Sequence, residues 1–441
     1  MERTLIKDLH GRIGKEVTVK GWVDARRDHG KLIFIELRDG TGMVQMVALP
    51  SHAEAHAAVE TVRAEWVIEA KGVVNKRPEK MIKADSPTGD IEIELLGITI
   101  LSEAYELPFE KDTVVNLETL LNYRPFTIRS NRERDIFTLQ ATLLEAYRSS
   151  LRRQGFMEFQ APALVGGDAE GGAAVFKVNY FYDKTAYLAT SPQLYKQIMV
   201  GAFERVFTIA RIFRAEKSAT TRHLSELTQM DFEMGFIDDE RDVMAVLETV
   251  IREVVAKAKE HAAIFARFNA DVPKADKPFP VLTLREAQKI LAVPESADDM
   301  EPDHERRISE WALKEHDSDF VFITRFPTAG RAFYTYEAPN EAPYSRGFDL
   351  LFRGLEINSG AQRIHNYEEM VKRIGSRGMD PKKFSFYLQA FKYGMPPHGG
   401  SSTGLERLTA RMLGLANVKE AVPFPRDMNR IDTLLSENLD D

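Results

Sequence analysis

Residues 13 to about 104 form the first patterned region of the chain, in which apolar and polar side chains alternate over short runs separated by turn residues. Alternation with a period of two residues is typical of β-strands that bury one face. Five such runs in under a hundred residues predict a small closed barrel. The predicted strands span residues 17–23, 32–37, 43–47, 66–74 and 91–101.

A long amphipathic helix is predicted to open the second domain. The stretch before it has little periodicity and contains Pro125, so we interpret residues 105–130 as a hinge. Ser130 and Glu133 then form a capping box, and apolar residues recur at helical spacing until Gly155. Those apolar residues are Ile136, Leu139, Leu143, Tyr147 and Leu151. The expected domains are therefore residues 1–104 and 131–441, joined by the hinge.

Strand-like runs dominate the remainder of the chain. They predict an antiparallel sheet with strands at residues 156–159, 186–189, 205–213, 228–236, 320–324 and 348–357. Two helices accompany the sheet, one over residues 239–263 with an apolar face and one after Gly404. Residues 296–317 are charged and predict a helix or a loop at the surface. The expected fold class is α+β, a barrel followed by a sheet domain flanked by helices.

Composition narrows the classes of function. The chain has 441 residues, 44% of them hydrophobic, which suits a full core in two or three domains. No apolar run approaches the roughly 18 residues that cross a bilayer, and the first residues lack a signal-peptide pattern, so we expect a cytoplasmic protein without membrane contact. Cysteine is absent, which excludes disulfides, thiol nucleophiles and thiolate zinc sites. The net charge of -8 argues against coating nucleic acid non-specifically, but not against a local basic surface.

A charged hairpin carries the first chemical signal. Arg214, Arg222, His223 and Glu216 lie between a predicted strand that ends at residue 213 and another that begins at 228. Three cations beside a carboxylate suit a polyphosphate. Taken alone, the same pattern equally predicts a salt-bridged surface hairpin.

Two further motifs favour the polyphosphate. Gly155-Phe156 is followed shortly by Pro162, and a glycine-rich run from Gly399 leads through Gly404 to Arg407. Together with the charged hairpin, and in this order, they resemble motifs 1, 2 and 3 of the class II aminoacyl-tRNA synthetases over essentially the whole chain. The resemblance implies the class II catalytic domain, a homodimer formed through motif 1, and an OB-fold barrel that binds tRNA.

The resemblance also implies an ATP site. Arg214 is expected to hold the α-phosphate, Arg222 and His223 to reach the outer phosphates, and Arg407 to bind the γ-phosphate. Arg214 and Arg407 are thus the expected catalytic residues. The expected ATP-binding residues are Arg214, Glu216, Arg222, His223, Leu224, Glu356 and Arg407.

The amino-acid pocket resembles that of the aspartyl-tRNA synthetases, because residues 191–197 closely match that subgroup. Glu170, on a glycine-rich loop, is expected to face the α-ammonium of the substrate, and Arg363 to fork onto its side-chain carboxylate. Lys196 supplies a second cation, and two cations imply an acidic side chain. The expected aspartate-binding residues are Glu170, Ser191, Gln193, Lys196, Ser359 and Arg363.

Asp349 and Glu356 are the expected magnesium ligands, with Ser359 adding an oxygen. On one straight strand, residues seven apart point to opposite faces, so the chain is expected to bend at Arg353-Gly354. Oxygen ligands suit Mg²⁺, whose octahedron is usually completed by phosphates and waters. The matching acidic pair serves this purpose in the family.

In the barrel, four residues match anticodon-reading positions of aspartyl enzymes: Arg27, Phe34, Gln45 and Arg77. Phe34 offers a stacking platform for a base, and Gln45 can read a base edge. His29 resembles enzymes that charge both tRNA(Asp) and tRNA(Asn), whereas Lys80 resembles those that charge tRNA(Asp) alone. The choice of tRNA therefore stays open at this point.

Three positions depart from the family pattern. Ser402 stands where motif 3 usually has its middle glycine, Leu227 replaces an aromatic that stacks on adenine, and Thr190 replaces the usual Gln. The departures predict unusual adenine packing. An asparaginyl enzyme is the nearest rival to the aspartyl one, although Lys196 and the run around Arg363 argue against it. A non-catalytic tRNA-binding regulator and a tRNA-independent amino-acid ligase also stay open.

Overall fold

The computed structural model describes residues 2–84, 86–167, 174–217, 220–294 and 298–431. The chain divides into two compact units, Met1–Thr113 and Val114–Asp441. This division falls inside the stretch interpreted as a hinge. No helix among the described residues is long and apolar enough to cross a membrane.

The first unit is a closed barrel of five strands in the order β1-β2-β3-β5-β4. Its elements are β1 (Glu16–Asp28), β2 (Ile33–Arg38), β3 (Met43–Ala48), α1 (Ala53–Thr61), β4 (Val67–Lys76) and β5 (Ile91–Ser102). Alternation along β2 explains the barrel wall, because Ile33 and Ile35 are each only 1% exposed while Phe34 faces outward. The predicted barrel is confirmed.

The second unit contains most of the chain and mixes helices with two sheets. Its helices are α2 (Leu117–Asn122), α3 (Arg124–Thr127), α4 (Asn131–Arg153), α5 (Gln193–Phe203), α6 (Glu240–Ala258), α7 (Ala262–Arg267), α8 (Leu284–Leu291), α9 (Pro302–His316), α10 (Tyr367–Ser376), α11 (Ser385–Lys392) and α12 (Leu405–Leu413). Its strands are β6 (Met157–Glu158), β7 (Leu164–Val165), β8 (Lys177–Tyr180), β9 (Lys184–Leu188), β10 (Arg205–Phe213), β11 (Glu226–Gly235), β12 (Val281–Thr283), β13 (Phe320–Thr324), β14 (Gly347–Phe352), β15 (Leu355–Arg363) and β16 (His398–Gly404).

The main sheet has eight strands in the order β12-β13-β14-β15-β16-β11-β10-β6. Its six central strands are antiparallel, as the sequence predicts, whereas the two outermost strands pair in parallel with their neighbours. A separate three-stranded sheet, β7-β9-β8, accounts for the strand expected at 186–189. The α+β class is confirmed.

Two long helices, α4 and α6, cover one face of the main sheet with apolar side chains. The Ser130 hydroxyl caps α4 by accepting a hydrogen bond from Glu133 N at 3.3 Å. The Glu133 carboxylate pairs with Arg124 and Arg132, and Ser130 N donates to Thr127 O, so the predicted capping box forms only in part.

On α6 the box is complete, because the Asp239 carboxylate caps the helix and Asp239 N donates to the Asp242 carboxylate. The helix expected over residues 239–263 is divided, because α6 ends at Ala258 and α7 follows a 3-10 turn.

The hairpin between β14 and β15 turns at Arg353 and Gly354, whose φ angles of 47° and 77° are both left-handed. Such pairs match the twist of two antiparallel strands joined by a two-residue turn. The predicted bend is therefore present. It places Asp349 opposite Ser359 and Leu351 opposite Glu356 across the strand pair.

Candidate active site

One cavity of about 150 Å³ in the second unit collects residues from segments that are far apart in the sequence. It lies among the loop between β10 and β11, the hairpin of β14 and β15, and the start of α12. All the residues expected to bind ATP line it. The lining residues are Arg214, Glu216, Arg222, His223, Leu224, Leu227, Gln229, Glu356, Ile357, Ser359, Ser402, Gly404, Glu406, Arg407 and Val418.

The three arginines of the cavity differ in their partners. Arg222 pairs with Glu305 at 3.4 Å, and Arg407 pairs with Glu356 at 3.5 Å. The Arg214 guanidinium has no hydrogen-bond or ion-pair partner in the described part of the chain, and its backbone N–H donates to Ser225 O at 2.9 Å. An unpaired guanidinium in a cavity is ready to accept an anion from outside the protein.

Of the acidic pair on the hairpin, Glu356 lines this cavity and Asp349 lies on the adjacent strand β14. Arg331 holds Asp349 through two hydrogen bonds of 3.0 and 2.6 Å, and its Nη1 lies 3.3 Å from Ser359 Oγ. Burial removes water from the Glu356 carboxyl and raises its pKa from 4.5 to about 7. Repulsion by Asp349 adds to this rise, and attraction to Arg407 opposes it. Each of the two carboxylates has an arginine partner, Arg331 for Asp349 and Arg407 for Glu356. Together with the Ser359 hydroxyl they offer oxygen ligands of the kind that Mg²⁺ prefers.

Of the residues expected to bind the amino acid, Ser359 lines the cavity, whereas Lys196 and Arg363 are buried and are not part of its lining. Lys196 on α5 is 1% exposed, and its ammonium donates to Asp231 Oδ2 at 2.9 Å and lies 3.3 Å from Glu233 Oε2. Arg363 at the end of β15 donates to Glu233 Oε1 at 2.9 Å and to Gln193 Oε1 at 3.3 Å.

Ser191 and Glu170 also belong to the pocket expected from the sequence. The Ser191 hydroxyl accepts a hydrogen bond from Gln193 N at 3.2 Å, at the start of α5. Glu170 lies outside the described residues.

Two buried carboxylates complete the pocket and were not among the predicted site residues. Asp231 and Glu233 alternate along β11, so both point to the same face as Lys196 and Arg363. Burial raises the pKa of Glu233, but Arg363 and Lys196 more than compensate, so the pKa lies below 4.5. The spacing of Asp231 and Glu233, two residues apart on the motif 2 strand, was the sequence signal that could have indicated a shared face. The pocket thus contains two cations already matched by two anions.

Gly400 explains why this arrangement is tight. A Cβ at that position would lie 2.2 Å from Glu233 Oε2 and 2.2 Å from Phe232 O. Only glycine at position 400 therefore leaves space for the Glu233 carboxylate, which passes beside β16 to pair with Arg363.

In the barrel, three of the expected anticodon residues, Arg27, Phe34 and Gln45, share the outer face of β1, β2 and β3, and Arg77 directly follows β4. Arg27 on β1 is the cross-strand partner of Phe34 on β2, and the His29 ring packs edge-on against Phe34 at 5.7 Å. Gln45 donates to Glu92 at 3.1 Å, and Arg77 lies 3.7 Å from the same carboxylate.

Lys80 is exposed in the loop between β4 and β5. Glu36, which the sequence reasoning missed, pairs with Arg27 at 3.3 Å.

Comparison with known proteins agrees with this arrangement. Residues 116–428 match the family described as class II tRNA synthetases (D, K and N), and residues 17–101 match the OB-fold nucleic acid binding domain. The aspartate–tRNA(Asp/Asn) ligase of Deinococcus radiodurans is 41% identical over 445 residues, which is 98% of this chain and 99% of that protein. The aspartate–tRNA(Asp) ligase of Thermoplasma acidophilum is 38% identical over 441 residues, 98% of this chain and 100% of that protein.

A solved structure is similar over the same extent. The crystal structure of asparaginyl-tRNA synthetase from Pyrococcus horikoshii, complexed with asparaginyl-adenylate, superposes with a TM-score of 0.89 at 32% identity. The match covers 98% of this chain and 99% of that one.

Proposed function

The chain belongs to the class II aminoacyl-tRNA synthetases of the aspartate, lysine and asparagine group, and on that premise we propose how its residues ligate aspartate to tRNA. It is an ATP-dependent ligase that forms aspartyl-adenylate and pyrophosphate and then transfers the aspartyl group to the 3′ end of tRNA(Asp). One observation carries the assignment of the site: Arg214, whose guanidinium has no partner among the described residues, lines the same cavity as Ser402. Ser402 in turn bonds to Asp231, the partner of the buried Lys196.

In the activation step, an oxygen of the aspartate α-carboxylate attacks the α-phosphorus of ATP and pyrophosphate leaves. Arg214 binds the α-phosphate, where negative charge accumulates in the transition state. Arg222, His223 and Arg407 hold the outer phosphates and so align the leaving group. No protein nucleophile takes part, because orientation and charge stabilisation suffice for this transfer of the adenylyl group.

The pocket behind the cavity selects aspartate. Lys196 and Arg363 bind the side-chain carboxylate, and their buried partners Asp231 and Glu233 keep both cations fixed. An asparagine amide offers no negative charge to these cations, which costs about 3 kcal/mol relative to aspartate. The same contrast argues against an asparaginyl enzyme, despite the similar fold of the Pyrococcus protein.

Asp349, Glu356 and Ser359 would hold a magnesium ion, since Glu356 and Ser359 line the cavity and Asp349 lies opposite Ser359 on the adjacent strand. When bound, the ion supplies positive charge to the phosphates. Arg331 keeps Asp349 oriented toward this position through its two hydrogen bonds.

The barrel reads the anticodon in this proposal. Phe34 stacks on a base, Arg27 and Arg77 bind the backbone, and Gln45 contacts a base edge. The outward position of Phe34, between Ile33 and Ile35 of the core, supports a role in stacking. A tRNA-independent ligase would not need this surface.

We propose tRNA(Asn) as a second acceptor, because His29 packs directly on the Phe34 platform and can reach a neighbouring base. Charging purified tRNA(Asp) and tRNA(Asn) in parallel tests this. Aspartylation of both by the parent, with selective loss of tRNA(Asn) charging in His29→Ala, is expected. Charging of tRNA(Asp) alone would restrict the function to that acceptor.

A homodimer formed through motif 1 completes the proposal. Strand β6 is the outermost strand of the main sheet and follows α4, the motif 1 helix. Sedimentation equilibrium should give twice the chain mass. We further infer a cytoplasmic location, where tRNA and ATP are available.

Pyrophosphate exchange without tRNA tests the catalytic assignment. The parent is expected to exchange label into ATP when aspartate is present, and Lys196→Leu to lose this activity. Lys372→Leu, an exposed lysine of α10 outside the cavity, serves as the control. A Lys196→Leu enzyme that activates aspartate like the parent would refute the pocket assignment, and an inactive parent would favour the non-catalytic regulator.

A further inference from the structure

Ser402 stands at the centre of a row of polar side chains that crosses the main sheet. In the register of β11, β16 and β15, Asp231 lies opposite Ser402 and Ser402 lies opposite Ser359. The next pairing, between β15 and β14, sets Ser359 opposite Asp349. Directly opposed residues on antiparallel neighbours point to the same face. The row therefore runs from the amino-acid pocket to the metal position.

The Ser402 hydroxyl is hydrogen-bonded to a neighbour in this row, Asp231. Its Oγ donates to Asp231 Oδ1 at 2.7 Å, while Lys196 donates to the other oxygen, Oδ2, at 2.9 Å. Asp231 is 1% exposed, so its charge is satisfied inside the protein by these two donors. Two residues earlier on the same strand, Gly400 has no space for any side chain because Glu233 occupies it.

The shared carboxylate links Ser402 to the cation that meets the substrate. A buried carboxylate with one donor removed draws the remaining donor more strongly, because its other lone pairs are left unmatched in a medium of low dielectric. Without the hydroxyl, the ammonium of Lys196 would be held more tightly by Asp231. It would then be less available to a second carboxylate.

We propose that Ser402 is a positioning residue for amino-acid selection: its hydroxyl carries part of the hydrogen bonding of Asp231 and so leaves Lys196 available to the side-chain carboxylate of aspartate. This rests on the proposed function, in which Lys196 binds that carboxylate. It also gives the departure from glycine at this position a role in the amino-acid pocket, beside the expected effect on adenine packing.

The test compares Ser402→Ala with Ser402→Thr, which retains a hydroxyl, in aspartate-dependent pyrophosphate exchange. Removal of one hydrogen bond to a charged group is expected to raise the KM for aspartate about tenfold in Ser402→Ala, with kcat and the KM for ATP within about twofold of the parent. The preference for aspartate over asparagine falls in parallel. Ser402→Thr recovers the KM of the parent.

A structural control uses Ser318→Ala, which removes another buried hydroxyl, one bonded only within its own turn. It is expected to leave the KM for aspartate unchanged. An unchanged KM for aspartate in Ser402→Ala overturns the proposal, as does an equal rise in both KM values or a full rise shared by Ser402→Thr. An inactive parent overturns the proposed function itself, whereas an active parent with an indifferent Ser402→Ala overturns only this inference.

Discussion

His398 is a fully buried histidine whose two ring nitrogens are both hydrogen-bonded. Nδ1 lies 2.9 Å from Pro396 O, which can only accept, so Nδ1 donates and Nε2 accepts from the Gln197 amide at 2.8 Å. Burial lowers the pKa of His398 from 6.5 to about 4, and nearby Glu233 opposes this while Arg363 adds to it. His398 is therefore neutral in the folded enzyme at physiological pH.

This residue predicts a loss of stability in acid. The unfolded chain takes up a proton near pH 6.5 and the folded chain only near pH 4, so the stabilisation is complete above pH 6.5 and declines as the pH falls toward 4. Its full size is about 3 kcal/mol of unfolding free energy. Urea unfolding of His398→Gln should show a smaller acid loss than the parent, with the surface variant His316→Gln as control. Parallel pH curves for parent and His398→Gln would contradict the prediction.

Arg214 is expected to contribute to catalysis but not to stability. Because its guanidinium has no partner among the described residues, Arg214→Ala should leave the thermal midpoint unchanged while lowering kcat for pyrophosphate exchange about 100- to 1,000-fold. Arg211→Ala is the matched control, because Arg211 is an exposed arginine on β10, the strand that ends one residue before Arg214. Comparable losses in the two variants would argue against phosphate binding by Arg214.

The site residues foreseen from the sequence are those with a local signature. Lys196 and Arg363 belong to short runs that resemble the aspartyl subgroup. Asp231, Glu233 and Arg331 were missed, because each acquires its role from a residue on another strand or loop. A sequence does not reveal that two predicted cations are already neutralised within the fold.

Among the elements, the hairpin of β14 and β15 matters most, because its turn aligns the acidic pair. Gly354 has a left-handed φ of 77°, and a Cβ there would lie 3.0 Å from Arg306 Cα. Gly354→Ala should therefore lower the free energy of unfolding by about 1–2 kcal/mol and weaken the dependence of exchange on Mg²⁺. Gly375→Ala, in α10 with open space around it, should be neutral or stabilising. An unchanged unfolding midpoint for Gly354→Ala would contradict this.

Elements with strong periodicity were predicted closely, and the others were not. The barrel strands, α4 and its Ser130 cap follow directly from alternation and capping. Helix α9 was left undecided from its charged sequence, since its burial depends on packing against distant strands. The parallel pairing of β6 and β12 likewise depends on long-range topology.

For the whole molecule, two compact units imply that tRNA reading and amino-acid activation can be separated by mutation. Phe34→Ala should raise the KM for tRNA about tenfold or more, because one base loses its stacking partner. Pyrophosphate exchange without tRNA should be unaffected. A comparable loss in both assays would show that Phe34 serves the barrel core, in which case the thermal midpoint would fall as well.

The most direct test of aspartate selection by Lys196 and Arg363 is the preference of the intact enzyme for aspartate over asparagine. Pyrophosphate exchange measured with each amino acid should give a kcat/KM for aspartate at least about 100-fold higher, the ratio expected for a pocket that binds a carboxylate through two cations. Equal use of the two amino acids, or a preference for asparagine, would contradict the assignment of Lys196 and Arg363 as the residues that select aspartate.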